Sequence, residues 1–97
     1  MPDLKTVSDK VLYAEPVHPD LRTVAPFEVC FETTEDGYAA VVQDLDEYGL
    51  GNTQAEALSD LGHTLQELYF SLERDQARLS SDLLSLWTRL RSHLQRR

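Results

Sequence analysis

Ninety-seven residues with 41% hydrophobic content suit one globular domain and exclude both a two-domain chain and a disordered one. A formal net charge of −8 excludes an extended nucleic-acid footprint over most of the surface, and the single cysteine, Cys30, excludes an intramolecular disulfide. No apolar run approaches the roughly 20 residues of a membrane span and no signal-peptide core is present, so no membrane partner is expected, and a cytoplasmic location is.

Residues 1–26 hold Pro16, Pro19 and Pro26 and read as an arm laid against the domain, with a short strand at residues 11–14. From Phe27 the chain alternates: Phe27, Val29 and Phe31 point one way, and Glu28, Cys30 and Glu32 the other. Period-two alternation predicts a strand with one buried and one wet face. Glu35-Asp36-Gly37 then supplies a tight turn in which Gly37 is free to take positive φ. Tyr38 to Gln43 is the return strand, and a third strand passes through Tyr48 and Leu50, its length limited by Gly49 and Gly51.

Thr53-Gln54-Ala55-Glu56 is a capping box, in which the Thr53 hydroxyl serves the Glu56 amide while the Glu56 side chain reaches back to Thr53. The helix it opens sets Leu58, Leu61, Leu65, Leu68 and Leu72 in one stripe. Gly62 costs about 1 kcal/mol relative to Ala inside a helix, so close backbone packing is expected there. After a break near Asp75 to Leu79, a second helix is expected over residues 79–97. It is capped by Ser80 or Ser81, has Leu83, Leu86, Trp87, Leu90 and Leu94 as its stripe, and carries Arg89, Arg91, Arg96 and Arg97 towards its end. The expected fold is α+β: an antiparallel three- to four-stranded sheet packed against one long helix, plus the second, C-terminal helix. A fourth strand would come from residues 11–14.

From Thr23 through Glu73 the chain has eleven carboxylates and neither lysine nor arginine. Like charges so placed repel in the compact state, so their use is either to meet a positively charged partner or to keep the protein soluble. Glu28, Glu32, Glu35, Asp36, Asp44, Asp46 and Glu47 are the candidate partner-binding residues, gathered on an acidic sheet face. The alternative for the same residues is a solvated face that discourages edge-to-edge aggregation.

Other residues point to less. Glu56, Asp60, His63 and Glu67 recur at helical spacing opposite the leucines, where a wet polar face outweighs a metal site. Cys30 has no lysine, arginine or histidine beside it in sequence to make it a nucleophile and reads as filler. His18 and His93 stand alone. Phe70 falls off the leucine stripe and needs cover from the second helix or from another subunit; Leu84, off the stripe of its own helix, is the candidate partner, and both are candidate oligomer contacts. The terminal arginines are better explained by salt bridges to the acidic core or to a neighbouring subunit than by nucleic acid, an unlikely partner. No Gly-rich phosphate loop, catalytic triad order or paired-cysteine motif is present, so neither an enzyme nor a cofactor is expected.

Residues 27–72 resemble the HicB family of small antitoxin-like proteins. The resemblance rests on the strand before Glu35-Asp36-Gly37, on Tyr38 and the second strand, on Asp44-Leu45, and on Tyr48-Gly49-Leu50-Gly51-Asn52-Thr53 running into Glu56-Ala57-Leu58. Gly51-Asn52-Thr53-Gln54-Ala55-Glu56-Ala57 is similar to the family's Gly-Asp-Thr-x-x-Glu-Ala, with Asn in place of Asp. The resemblance implies a HicB-like β-β-β-α domain over residues 27–75, often dimeric or tetrameric, that binds and blocks HicA, a small basic ribonuclease toxin. The acidic face would then imitate the charge of an RNA backbone. Gln43-Asp44-Leu45-Asp46 stands where the family usually has Pro-Asp-Leu-Pro. No ribbon-helix-helix or helix-turn-helix appendage follows residue 75, so DNA binding is not carried over. The alternative expectation is a stand-alone homo-oligomeric module with this fold and without a toxin.

Overall fold

A computed structural model describes residues 10–15 and 18–97. The elements in chain order are β1 (Lys10–Tyr13), β2 (Leu21–Thr23), β3 (Phe27–Thr33), β4 (Tyr38–Val42), β5 (Glu47–Gly51), α1 (Gln54–Arg74), a 3-10 turn (Gln76–Arg78), α2 (Ser81–Arg91) and β6 (Leu94–Arg96). β1, β3, β4 and β5 form one antiparallel sheet in the order β1-β3-β4-β5, while β2 and β6 form a separate two-stranded ribbon. The architecture is α+β, with a long helix on the four-stranded sheet and a second helix near the C-terminus. The fourth strand comes from the arm: β1 runs antiparallel to β3, from Lys10 opposite Cys30 to Tyr13 opposite Phe27. Residues 1–9 of the arm, and Pro16 in its proline-bounded connection, lie outside the described residues.

Alternation in β3 produces the core as its periodicity requires. Phe27, Val29 and Phe31 are buried, together with Ala40 and Val42 of β4. Against them α1 sets Ala57, Leu61, Leu65, Tyr69 and Leu72, while Leu58 and Leu68 of the stripe are half-buried at its margins. Each fully buried leucine contributes about 1.5–3 kcal/mol by leaving water.

The helix lies unusually close to β5, and glycine is the reason. A Cβ on Gly49 would collide with the backbone of Ala57 and Leu61, and one on Gly51 with the backbone of Ala57. The tight approaches thus belong to the strand glycines, while Gly62 is buried within the helix itself. Gly37 is likewise needed for space, against Gly51 and Asn52. It does not take the positive φ expected of it; among the described residues the one non-glycine residue in that region is Asp46, at φ 57°, in the turn before β5.

The C-terminal helix expected to reach residue 97 ends at Arg91. The Ser92 hydroxyl donates to the Arg89 carbonyl at 2.6 Å, and the Ser92 and His93 amides close the last turn on Arg89 and Leu90. His93 then stacks on Phe27, with centroids 4.5 Å apart, and its Nδ1 bonds the Ala25 carbonyl at 3.1 Å. The next residues pair as a strand with β2, Leu94 opposite Thr23 and Arg96 opposite Leu21. A helical continuation would have left the amides and carbonyls of β2 without this ladder, and Leu94, fully buried here, without its place in the core.

Candidate functional site

One face of the main sheet is covered by α1; among the described residues nothing covers the other. Residues directly opposite each other on neighbouring strands share a face. The registers therefore set three rows on the open side: Leu12 beside Glu28; Lys10, Cys30, Val41 and Tyr48; and Glu32, Ala39 and Leu50. Leu12 is 68% exposed, Tyr48 58% and Leu50 52%. Cys30 and Val41 between them are half-buried. The centre of this face is thus an apolar strip, with Glu28 and Glu32 as its carboxylates. Lys10 lies 3.6 Å from Glu28, a solvent-exposed pair.

The seven candidate carboxylates do not share that face, contrary to the expectation of a single acidic surface. Glu28 and Glu32 stand on it. Glu35 and Asp36 occupy the β3–β4 turn, bordering a hollow of about 390 Å³ with Tyr38 and Leu50. Asp44 lies at the opposite end, lining a hollow of about 380 Å³ with Lys10, Glu28, Cys30 and His93. Asp46 is exposed in the same turn. Glu47 sits opposite buried Val42 and so turns to the helix side. There burial, with the neighbouring Asp46 charge as the smaller cause, pushes its carboxyl above the ordinary range. Strand alternation orders only strand residues; the turns and the register decided where the remaining carboxylates went.

The result is an apolar strip with carboxylates at both ends. Glu28 alone among the seven has an ion-pair partner among the described residues. The arginine-bearing C-terminus does not neutralise them. Arg96 holds Glu73 through two hydrogen bonds, at 2.9 and 2.7 Å, and Arg97 donates to the Leu21 carbonyl at 3.2 Å. The hydrogen bonds from Arg96 keep the Glu73 carboxyl below its usual range. Arg91 lies 5.3 Å over the Trp87 ring.

Phe70 is half-buried within its own chain. His18 meets its ring edge-on at 4.9 Å, and the Arg96 guanidinium lies 5.2 Å from its centroid. Its cover is therefore the side of the β2–β6 ribbon. Leu84 is 48% exposed and lies outside the side chains packed on the core, so the two residues do not form the expected pair.

Two helix carboxylates serve the sheet edge. Glu56 accepts from the Asn52 amide at 2.9 Å, one residue before the amide expected for it, while its own amide donates to the Thr53 hydroxyl at 3.0 Å. Asp60 accepts from the Leu50 amide at 2.9 Å. Tyr48, Leu50 and Leu12 are the surface residues that sequence reasoning missed. The signal was available, since Gly49 and Gly51 alternate with Tyr48 and Leu50; if the glycines admit the helix, the larger side chains must face away. Comparison of the chain with family models, curated proteins and solved structures finds no match.

Proposed function

We propose that this is a binding protein of the HicB-like antitoxin type, which holds a small basic protein, such as a HicA-like ribonuclease toxin, on the open face of its sheet. The observation that carries the reading is the combination on that face: Leu12, Tyr48 and Leu50 exposed on its two outer strands, and at both ends carboxylates with no ion-pair partner among the described residues. Protein interfaces commonly join an apolar, aromatic-rich centre to a polar rim. Apart from Lys10, which pairs with Glu28, the charges described around this face are negative, because no lysine or arginine interrupts the sequence from Thr23 through Glu73. The apolar side chains would supply most of the affinity and the acidic ends would steer a basic partner in, raising its association rate. The β-β-β-α order and the Gly51-to-Ala57 junction support the same reading through the family resemblance.

Co-purification from the native host at low salt tests it. A small basic protein should be recovered. Tyr48→Ala with Leu50→Ala should weaken its binding by at least about tenfold through faster dissociation. Glu35→Lys with Asp36→Lys should instead slow association and flatten its salt dependence. Recovery of no basic protein, or a partner indifferent to both double variants, would overturn the reading.

A further inference from the structure

Where α1, α2 and β6 meet they enclose a polar hollow of about 310 Å³. α1 supplies Tyr69 and Glu73, α2 Trp87 and Arg91, β6 Gln95 and Arg96, and the 3-10 turn Gln76. Two features of this hollow are left unexplained by the fold. The first is a pair of buried donors. Tyr69 and Trp87 are 3% and 5% exposed, yet neither the Tyr69 hydroxyl nor the Trp87 indole N–H makes a hydrogen bond with a described residue. Such groups ordinarily find a partner when buried, because leaving water without one is costly. The Tyr69 hydroxyl lies on the side of the hollow, within reach of the Arg96 guanidinium. Behind the Glu73 hydrogen bond and the charges of Glu73 and Asp20, it is among the causes that raise the Arg96 pKa.

The second feature is Arg91. Its guanidinium lies 5.3 Å over the Trp87 ring and forms no ion pair with a described residue. A cation in the last turn of a helix complements the dipole, which accounts for the charge but not for its stacked position. Glu73 is the one carboxylate among the lining residues, and both its oxygens are taken by Arg96. Arg91 acts on it at longer range, as the last of the causes that lower the Glu73 pKa, behind the Arg96 hydrogen bond. The hollow therefore holds two guanidiniums and one carboxylate, a single positive charge in excess.

We propose that this hollow binds the carboxylate of a small organic acid. The groups left without partners are donors: the Arg91 fork, the Tyr69 hydroxyl and the Trp87 N–H. A carboxylate accepts through both oxygens, and the planar guanidinium matches that pair while the hydroxyl and the indole serve the remaining lone pairs. Its single charge is the one the hollow lacks. A phosphate dianion would bring more charge than the site balances, and a neutral ligand would leave Arg91 without a counter-charge. A volume of about 310 Å³ lies at the lower end of the range for ligand cavities, which suits a small acid. The site is independent of the open-face reading, since none of its residues belongs to the four-stranded sheet.

The test uses the full chain. Trp87 is its single tryptophan, so tryptophan fluorescence reports from the hollow itself. Titration with sodium acetate, at ionic strength held constant with sodium chloride, should change the emission saturably, with a dissociation constant on the order of millimolar for so small a ligand. Saturating acetate should also raise the thermal midpoint, since it binds the folded chain. Arg91→Gln should weaken acetate binding by at least about tenfold. Arg91 is exposed, so the circular dichroism spectrum of that variant should not change. Tyr69→Phe should weaken acetate binding severalfold and yet leave the midpoint of the unliganded protein equal or higher, because it removes a hydroxyl that has no partner. Absence of a saturable response overturns the proposal, as does a response that chloride reproduces or that survives Arg91→Gln. Tighter binding of inorganic phosphate than of acetate overturns it by assigning the hollow to a different anion. A Tyr69→Phe midpoint well below that of the wild type overturns it by giving the hydroxyl a structural partner. None of these outcomes bears on capture of a basic protein by the open face.

Discussion

The Asp60 carboxylate accepts the Leu50 amide at 2.9 Å, so a helix side chain finishes the hydrogen bonding of an edge strand. The bond is charge-assisted but solvent-exposed, and its removal leaves a strand amide facing outward. Asp60→Ala should destabilise the protein by about 1–2 kcal/mol, measured as a lowered urea midpoint at unchanged slope. It should also raise light scattering on prolonged incubation, because the β5 edge is then open to other chains. A midpoint equal to that of the wild type would show that water replaces the carboxylate without loss.

Gly49 sits where the helix backbone leaves no room for a side chain. A methyl group there would meet the backbone of Ala57 and Leu61, which cannot turn aside as a flexible side chain can. Gly49→Ala should therefore destabilise by at least about 3 kcal/mol or prevent accumulation of folded protein. A cooperative unfolding midpoint near that of the wild type would refute this account of the packing.

The pairing of Glu73 with Arg96 ties the end of α1 to β6, and it makes stability depend on pH in a definite direction. Arg96 holds the folded-state carboxyl below its ordinary value, so the unfolded chain binds the proton more readily. The contribution is complete above the unfolded carboxyl range, near pH 4.3, and is lost as the pH falls through the lower folded value. Thermal melts of the wild type and Glu73→Gln should thus differ at pH 6–7 and converge in acid. Added salt should shrink the difference, since the Arg96 side chain is half exposed. A difference that persists unchanged into acid would assign the effect to packing instead.

Much of the architecture was legible because its causes are local. The strand from Phe27 was visible in the alternation of its side chains, and the opening of α1 in Thr53 and Glu56. The expected β1 also formed, since Val11 and Tyr13 have a buried side to supply. The candidate surface was read less well. Glu28 and Glu32 were placed on a common face correctly, but Glu47 turned to the opposite one, and the turn carboxylates spread to both ends of the sheet. The apolar strip between them went unseen because Tyr48 and Leu50 gain their exposure only once α1 claims the other side of β5.

Segments of the sequence alone determined which stretches become strands and helices, where α1 starts, and how much negative charge the sheet must carry. These depend on side-chain spacing and capping between residues a few positions apart. Tertiary structure decided the rest: that Leu94–Arg96 leaves the helix to pair with Leu21–Thr23, that Arg96 is held by Glu73, and which side chains the open face presents. Those outcomes are choices between partners distant in sequence. Backbone hydrogen bonding and burial decide such choices only when the competing segments are brought together.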